Sequence, residues 1–269
     1  MTYQPEPILQ SRLSYAPWLS PQGHRLPGTD RCPPELWLWA DEALAPQMAL
    51  RDRLLRECPQ DVVAMLPEAE DAAGELLDEV VGWLRDRPGY VVGRDTVTRP
   101  DGVLVEIDYD QPMHAVARMV QSDLCILQKQ GDEHVLTAAA LCFPAHWSLH
   151  EKLGQPMVLI HQRIEPYDET VARRVQRLFD GLRVEAPLVR SNCLPDTNFE
   201  LFQSGRKPSG FQRKGDGARF VRLERQTLRR IPVSGAVVFA IHTTMVRPDE
   251  LDPSERADMD RHLAARQAS

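Results

Sequence analysis

Residues 121–164, QSDLCILQKQGDEHVLTAAALCFPAHWSLHEKLGQPMVLIHQRI, constrain the fold more than any other stretch. Leu124 to Gln128 and Val135 to Phe143 are rich in apolar and β-compatible residues, and Gly131-Asp132 between them supplies turn chemistry. A hairpin is predicted there. Pro144 cannot donate to a ladder and stops the second strand. A short helical bridge is expected over Glu151-Lys152. Beyond it, strict alternation from Met157 to Ile164 predicts a third strand. Met157, Leu159 and His161 fall on one face of it, and Val158, Ile160 and Ile164 on the other.

The flanking segments supply the rest of the fold. Residues 1–35 are rich in proline (Pro5, Pro7, Pro17, Pro21, Pro27, Pro33, Pro34) and are expected to be extended. Tyr15, Trp18, Trp37 and Trp39 predict that this arm packs on a surface. Helical pattern runs from about Asp41 to Glu57. A stronger helix, from about Glu68 to Arg85, carries Ala72, Leu76, Val80, Trp83 and Leu84 as an apolar stripe and ends at Pro88-Gly89. Tyr90 to Asp108 predicts a short β region around Pro100-Asp101-Gly102, and Pro112 to Val120 a short helix. After the central stretch, Asp168 to Arg183 is amphipathic, and Pro187 to Asn192 is expected to exit toward a loop. Residues 203–218 are glycine-rich and basic, as a surface loop is. Phe220 to Leu228 and Ala236 to Val246 predict paired strands, and a charged helix follows from Asp249.

The order of helices, strands, a helix and more strands predicts an α+β fold with a mostly antiparallel sheet. The expected division is a proline-rich arm over 1–40, one domain over 41–247 and a charged tail over 248–269. With 42% of its 269 residues hydrophobic and a net charge of -7, the chain is not expected to bind nucleic acid or anionic membrane. No apolar run is long enough to span a bilayer. MTYQPEPILQ lacks a basic stretch followed by an apolar one, so a cytoplasmic protein is expected. Cys32, Cys58, Cys125, Cys142 and Cys193 form no C-x-x-C pair, which argues against a disulfide framework or zinc ribbon.

One imidazole in an apolar row is the first candidate for chemistry. His161, beside Met157 and Leu159, suits an axial ligand to iron in an apolar pocket, although the ordinary reading of such a residue is a half-buried histidine bonded to backbone. His146 and His150 lie four apart without the third ligand a metal needs. In Phe220 to Arg230, alternation places Arg222, Glu224, Gln226 and Arg230 on one face and Leu223, Arg225, Thr227 and Arg229 on the other. So many charges fit a solvated face, or arginines that grip carboxylates bidentately. His242 is expected to pack structurally. No nucleophile elbow, dinucleotide fingerprint or phosphate loop is present.

DLCIL (Asp123 to Leu127), CFPAHWSLHEKLGQP (Cys142 to Pro156), Ile160-His161, VRSN (Val189 to Asn192) and RLERQTLRRIPVSGAVVF (Arg222 to Phe239) together resemble the haem-dependent oxidative N-demethylase alpha-subunit-like family. Similarity covers most of residues 35–247. The sequence departs from the family pattern at Ser122, Cys193 and His242-Thr243-Thr244, among other places. The resemblance implies a PAS-like domain whose five-stranded antiparallel sheet and helices enclose haem b. It implies O2-dependent removal of a methyl group from a secondary amine such as dimethylamine, with NADPH-derived electrons arriving through partner reductase or electron-transfer subunits. His161 then takes the axial position on iron, Met157 and Leu159 flank it, and Arg222, Arg225 and Arg229 hold propionates or line the pocket. The alternative is a non-catalytic haem- or ligand-binding sensor or scaffold of the same shape.

Overall fold

A computed structural model describes residues 6–13, 15–20, 28–161, 169–205 and 220–267. The N-terminal part begins with β1 (Asp30–Arg31), then α1 (Leu44–Glu57), α2 (Pro59–Val62), β2 (Val63–Met65) and α3 (Glu70–Leu84). A small sheet of β3 (Val91–Val92), β4 (Thr96–Thr98) and β5 (Leu104–Glu106) leads into α4 (Pro112–Met119). The hairpin follows as β6 (Asp123–Gln130) and β7 (Glu133–Ala140). Gly131 turns it at φ 62°, a conformation that glycine adopts without a Cβ penalty. Three helices come next: α5 (Leu149–Lys152), α6 (Met157–His161) and α7 (Glu169–Asp180). The chain then lays down β8 (Leu188–Asp196), β9 (Phe220–Arg230) and β10 (Val237–Val246) and closes with α8 (Pro253–Gln267).

The main sheet has the order β1-β8-β9-β10-β6-β7-β2, and every pairing in it is antiparallel. With helices and antiparallel strands in one chain, the α+β expectation is met. The helical stripe predicted on α3 is its buried face: Ala72, Leu76, Val80 and Leu84 are inaccessible. They join α1 and α4 over Leu124, Ile126, Ala138, Ala140, Val238 and Ala240 in the largest apolar core. Trp37 is buried in that core, and the Trp18 ring packs tilted against His262 of α8, so the arm packs on the body as its aromatics predict. Among the described residues no helix is long and apolar enough to cross a membrane.

Two expectations are overturned. Met157 to His161 is a helix, not the start of a strand. The Pro156 carbonyl accepts the N–H groups of Leu159 and Ile160 at 2.9 and 3.0 Å, and Lys152 Nζ donates to the Ile160 carbonyl at 2.8 Å. A run that is apolar at every position satisfies either period, so local bonds decided it. Ile164 lies outside the described residues. Second, the PLVRSN segment is not an exit to a loop but enters β8, which pairs with β9 from Leu188 to Asp196. Among the described residues its other side meets only the two residues of β1, and such a near-edge strand tolerates polar residues and Pro195.

Candidate functional site

The site is built on one face of the sheet. Register places Arg222, Glu224, Gln226 and Leu228 of β9 on the same face as Leu188, Arg190, Asn192 and Leu194 of β8. Phe239, Ile241, Thr243 and Met245 of β10 complete that face. α5, α6 and α7 cover it. Leu149 and Ile160 pack on Cys125, Leu136, Ala139 and Phe239, while Phe179 and Val175 pack on Leu127, Leu228 and Val237. The opposite face meets the N-terminal segment, α1, α3 and α4.

The middle of the α5–α7 face is polar although both flanks are apolar. Arg190 Nη1 donates to Gln226 Oε1 at 2.7 Å, and Gln226 Nε2 donates to Glu224 Oε2 at 3.0 Å. Arg222 Nε reaches Glu224 Oε1 at 3.1 Å. Arg222 also donates to the Leu201 carbonyl at 3.2 Å, to Thr243 Oγ1 at 3.3 Å and to the Phe143 carbonyl. Glu224 and Gln226 are buried, and Arg222 is only 1% exposed. Taking such charges out of water costs several kcal/mol each unless every group is paired. A row of two guanidiniums, one carboxylate and one amide across the centre of a covered sheet face is therefore the strongest mark of a built site.

The predicted residues are distributed unevenly around this row. His161 is the last residue of α6, on the covered face's side of the chain, and its side chain lies outside what the structure describes. Met157 and Leu159 are two apart on a helix, roughly 200° around its axis. Met157 packs on the Leu127–Leu228 cluster, whereas Leu159 is 46% exposed. Arg222 belongs to the row. Arg225 and Arg229, an odd number of residues away, project from the other face. Arg225 donates to the Leu36 carbonyl at 2.6 Å and to Cys32 Sγ at 3.5 Å, with the Tyr15 and Trp39 rings 5.6 and 5.1 Å from its guanidinium carbon. Burial pulls its pKa down. Arg229 pairs with Glu79 of α3 and lies 4.8 Å over the Trp37 ring. The structure does not bring the three arginines together.

Arg190, Asn192, Glu224 and Gln226 are the residues that reading the sequence missed. Arg190 and Asn192 were hidden by the loop expected there. Glu224 and Gln226 were visible as alternate positions, but a strand polar on both faces passes for a solvated one. The signal available was the length of the β9 and β10 runs, which fits a strand paired along both edges, as β9 is with β8 and β10.

Other polar groups serve packing. His242, on the N-terminal face, bonds Asp41 Oδ2 through Nε2 at 2.9 Å, consistent with a structural role. Burial works to raise the Asp41 pKa, but the bond and charge of His242 and bonds from Gln121 and Gln10 outweigh it and hold the carboxyl at about 2. His150 faces Asp61 at 3.7 Å, and His146 takes φ 62°. Among the described residues no cluster of three or more His, Cys, Asp or Glu could hold a metal ion. A cavity of about 200 Å³ in the helical layer is lined by Asp52, Leu55, Arg56, His114 and Arg118, but its carboxylate is taken by Arg99 and Arg118, both at 3.0 Å.

A family model described as haem-dependent oxidative N-demethylase, alpha subunit-like, matches residues 28–267, nearly the whole chain.

Proposed function

Because the chain belongs to the haem-dependent oxidative N-demethylase alpha-subunit-like family, we propose that it binds haem b between the sheet and α5–α7 and removes a methyl group from a secondary amine. The observation that carries this reading is the Arg190–Gln226–Glu224–Arg222 row, half-buried at Arg190 and buried at the other three, on the sheet face that α5–α7 pack against. A hairpin, three helices and a three-stranded meander that returns to pair β10 with β6 support a PAS-like description of residues 123–246.

The donor set fits a haem. A porphyrin presents an apolar face and an anionic rim, and this face offers Phe239, Ile241 and Met157 beside two guanidiniums and one carboxylate. Guanidinium forks match propionate geometry. Arg190 would hold the rim, Arg222, already bonded to Glu224, Phe143, Leu201 and Thr243, would line the pocket beside it, and His161 would supply the axial nitrogen. Arg225 and Arg229, turned toward the arm and α3, have no role at the haem in this reading. Of the two apolar neighbours expected at His161, Met157 is the one the packing supports.

Bound haem supplies O2 activation, so that an N-methyl group leaves as formaldehyde. The chain's own residues orient the ring, exclude water through the α5–α7 cover and hold the amine. Electrons derived from NADPH would come from partner subunits, which the family's alpha subunit-like description supports. A cytoplasmic location belongs to the same proposal.

Reconstitution tests it. The wild-type protein with haem is expected to show a Soret band that His161→Ala loses or shifts. With a reductase system, O2 and dimethylamine it is expected to release formaldehyde. A Soret band without formaldehyde from any secondary amine would favour the sensor or scaffold reading. A protein that stays colourless would end the demethylase reading and any haem-based sensor.

A further inference from the structure

We propose that Glu224 is the carboxylate that receives the protonated amine, an assignment that rests on the demethylase reading and adds the group that recognises the substrate. An N-demethylase must bind an N-methyl amine, and alkylamines are cations at neutral pH. A cation entering a covered apolar site needs a counter-charge there, because an unpaired buried charge costs several kcal/mol. Among the described residues, register gives the α5–α7 face three acids. Asp123 sits at a strand start and is used by Arg51 Nη2 at 2.7 Å and by the N–H groups of Cys142 and Phe143 at 2.8 and 2.9 Å. Asp196 sits at a strand end, bonded by the Asn198 N–H at 2.9 Å and Gln203 Nε2 at 3.1 Å. Glu224 alone lies mid-strand in the polar row.

Its surroundings suit a small ammonium. Each Glu224 oxygen accepts one side-chain bond, from Arg222 Nε and from Gln226 Nε2. A carboxylate has about four acceptor sites, which leaves capacity for the two N–H groups of a secondary ammonium. The side chain is 9% exposed, so it is desolvated yet reachable. Across the strands it lies in register with Asn192 and Thr243, and Ile241 on the next register position can pack against methyl groups. Arg222 meets Glu224 through Nε alone, its other nitrogens being bonded to Phe143, Leu201 and Thr243.

The experiment is calorimetric titration of the full-length, haem-loaded protein with dimethylammonium and with 2-propanol, a neutral molecule of similar size. Glu224→Gln keeps the size and the capacity to accept from Arg222 but removes the charge. It is expected to weaken dimethylammonium binding about ten- to a hundredfold while leaving 2-propanol binding and the Soret absorbance unchanged. Glu224→Asp is expected to fall between wild type and Glu224→Gln for dimethylammonium. Unchanged dimethylammonium affinity in a haem-retaining Glu224→Gln protein overturns the assignment, as does equal loss of both ligands. If that variant does not fold, the wild type decides alone: dimethylammonium must bind at least about tenfold tighter than 2-propanol, and equal affinities overturn the proposal. A colourless wild type instead reports failure of the haem reading on which the assignment rests, and so is told apart from failure of the assignment itself, which shows only in a haem-loaded protein.

Discussion

At the scale of single residues, the sheet separates two kinds of buried polar group. Asp41 and His242 form a packing pair on the N-terminal face, where Gln10, Gln47 and Gln121 complete the bonding. Asp41 is nine-tenths covered, and its carboxyl is held at about 2 against an ordinary 3.8. A depressed carboxyl contributes stability that is complete above its unfolded value and lost as pH falls through the folded one. The window is therefore about pH 4 down to about pH 2, and the contribution about 2–3 kcal/mol. Asp41→Asn is expected to lower stability at pH 5 by about 2 kcal/mol and to flatten the acid limb in that window, measured by urea unfolding at stepped pH. An acid limb identical to that of wild type would show that the pair contributes nothing. The sequence made His242 legible as structural but could not reveal Asp41, more than two hundred residues away in the chain.

At the scale of elements, what the sequence disclosed depended on whether a segment's pattern matched only one period. α3 was readable because its apolar residues recur at helical spacing, and the β6–β7 hairpin because Gly131 marks its turn. α6 was not readable, since MVLIH fits a strand or a helix equally, and the Pro156 carbonyl and Lys152 settled it. The two alternatives differ in a measurable way. A strand buries Leu159 in the same row as His161, whereas the helix leaves Leu159 outward and turns Ile160 onto Cys125 and Ala139. Leu159→Lys is therefore expected to change stability by less than about 0.5 kcal/mol. Ile160→Ala is expected to cost about 1–2 kcal/mol, below the roughly 2–5 for a fully enclosed isoleucine. Thermal unfolding of the two variants side by side checks it, and a larger loss for Leu159→Lys would restore the strand. β8 was misread for a related reason: Arg190, Ser191 and Asn192 resemble a loop until β9 is laid beside them along their whole length.

At the scale of the whole molecule, the N-terminal helices and the candidate site share one buried peptide. Arg51 of α1 is fully buried and pairs with Asp123 at 2.7 Å, lying 4.9 Å over the Phe143 ring. Asp123 accepts the Phe143 N–H, and the Phe143 carbonyl accepts from Arg222, which holds Glu224. The residue that follows the hairpin is thus gripped from both layers. Neither layer's sequence predicts the grip, because it joins positions that only the completed fold brings together. Removing Arg51 leaves Asp123 buried without its counter-ion, so Arg51→Met is expected to cost about 3–5 kcal/mol. Asp123→Asn removes the charge but also weakens the bonds to Cys142 and Phe143. The double variant is expected to cost less than the sum of the singles by at least about 1 kcal/mol, since it no longer strands a lone charge. If the grip positions Arg222, Arg51→Met must also raise the rate of haem loss to an apoglobin acceptor, whereas Asp41→Asn, equally buried but on the N-terminal face's own network, must not. Additive stabilities with unchanged haem loss would mean that the two layers are merely stacked, and that the site owes its geometry to the sheet alone.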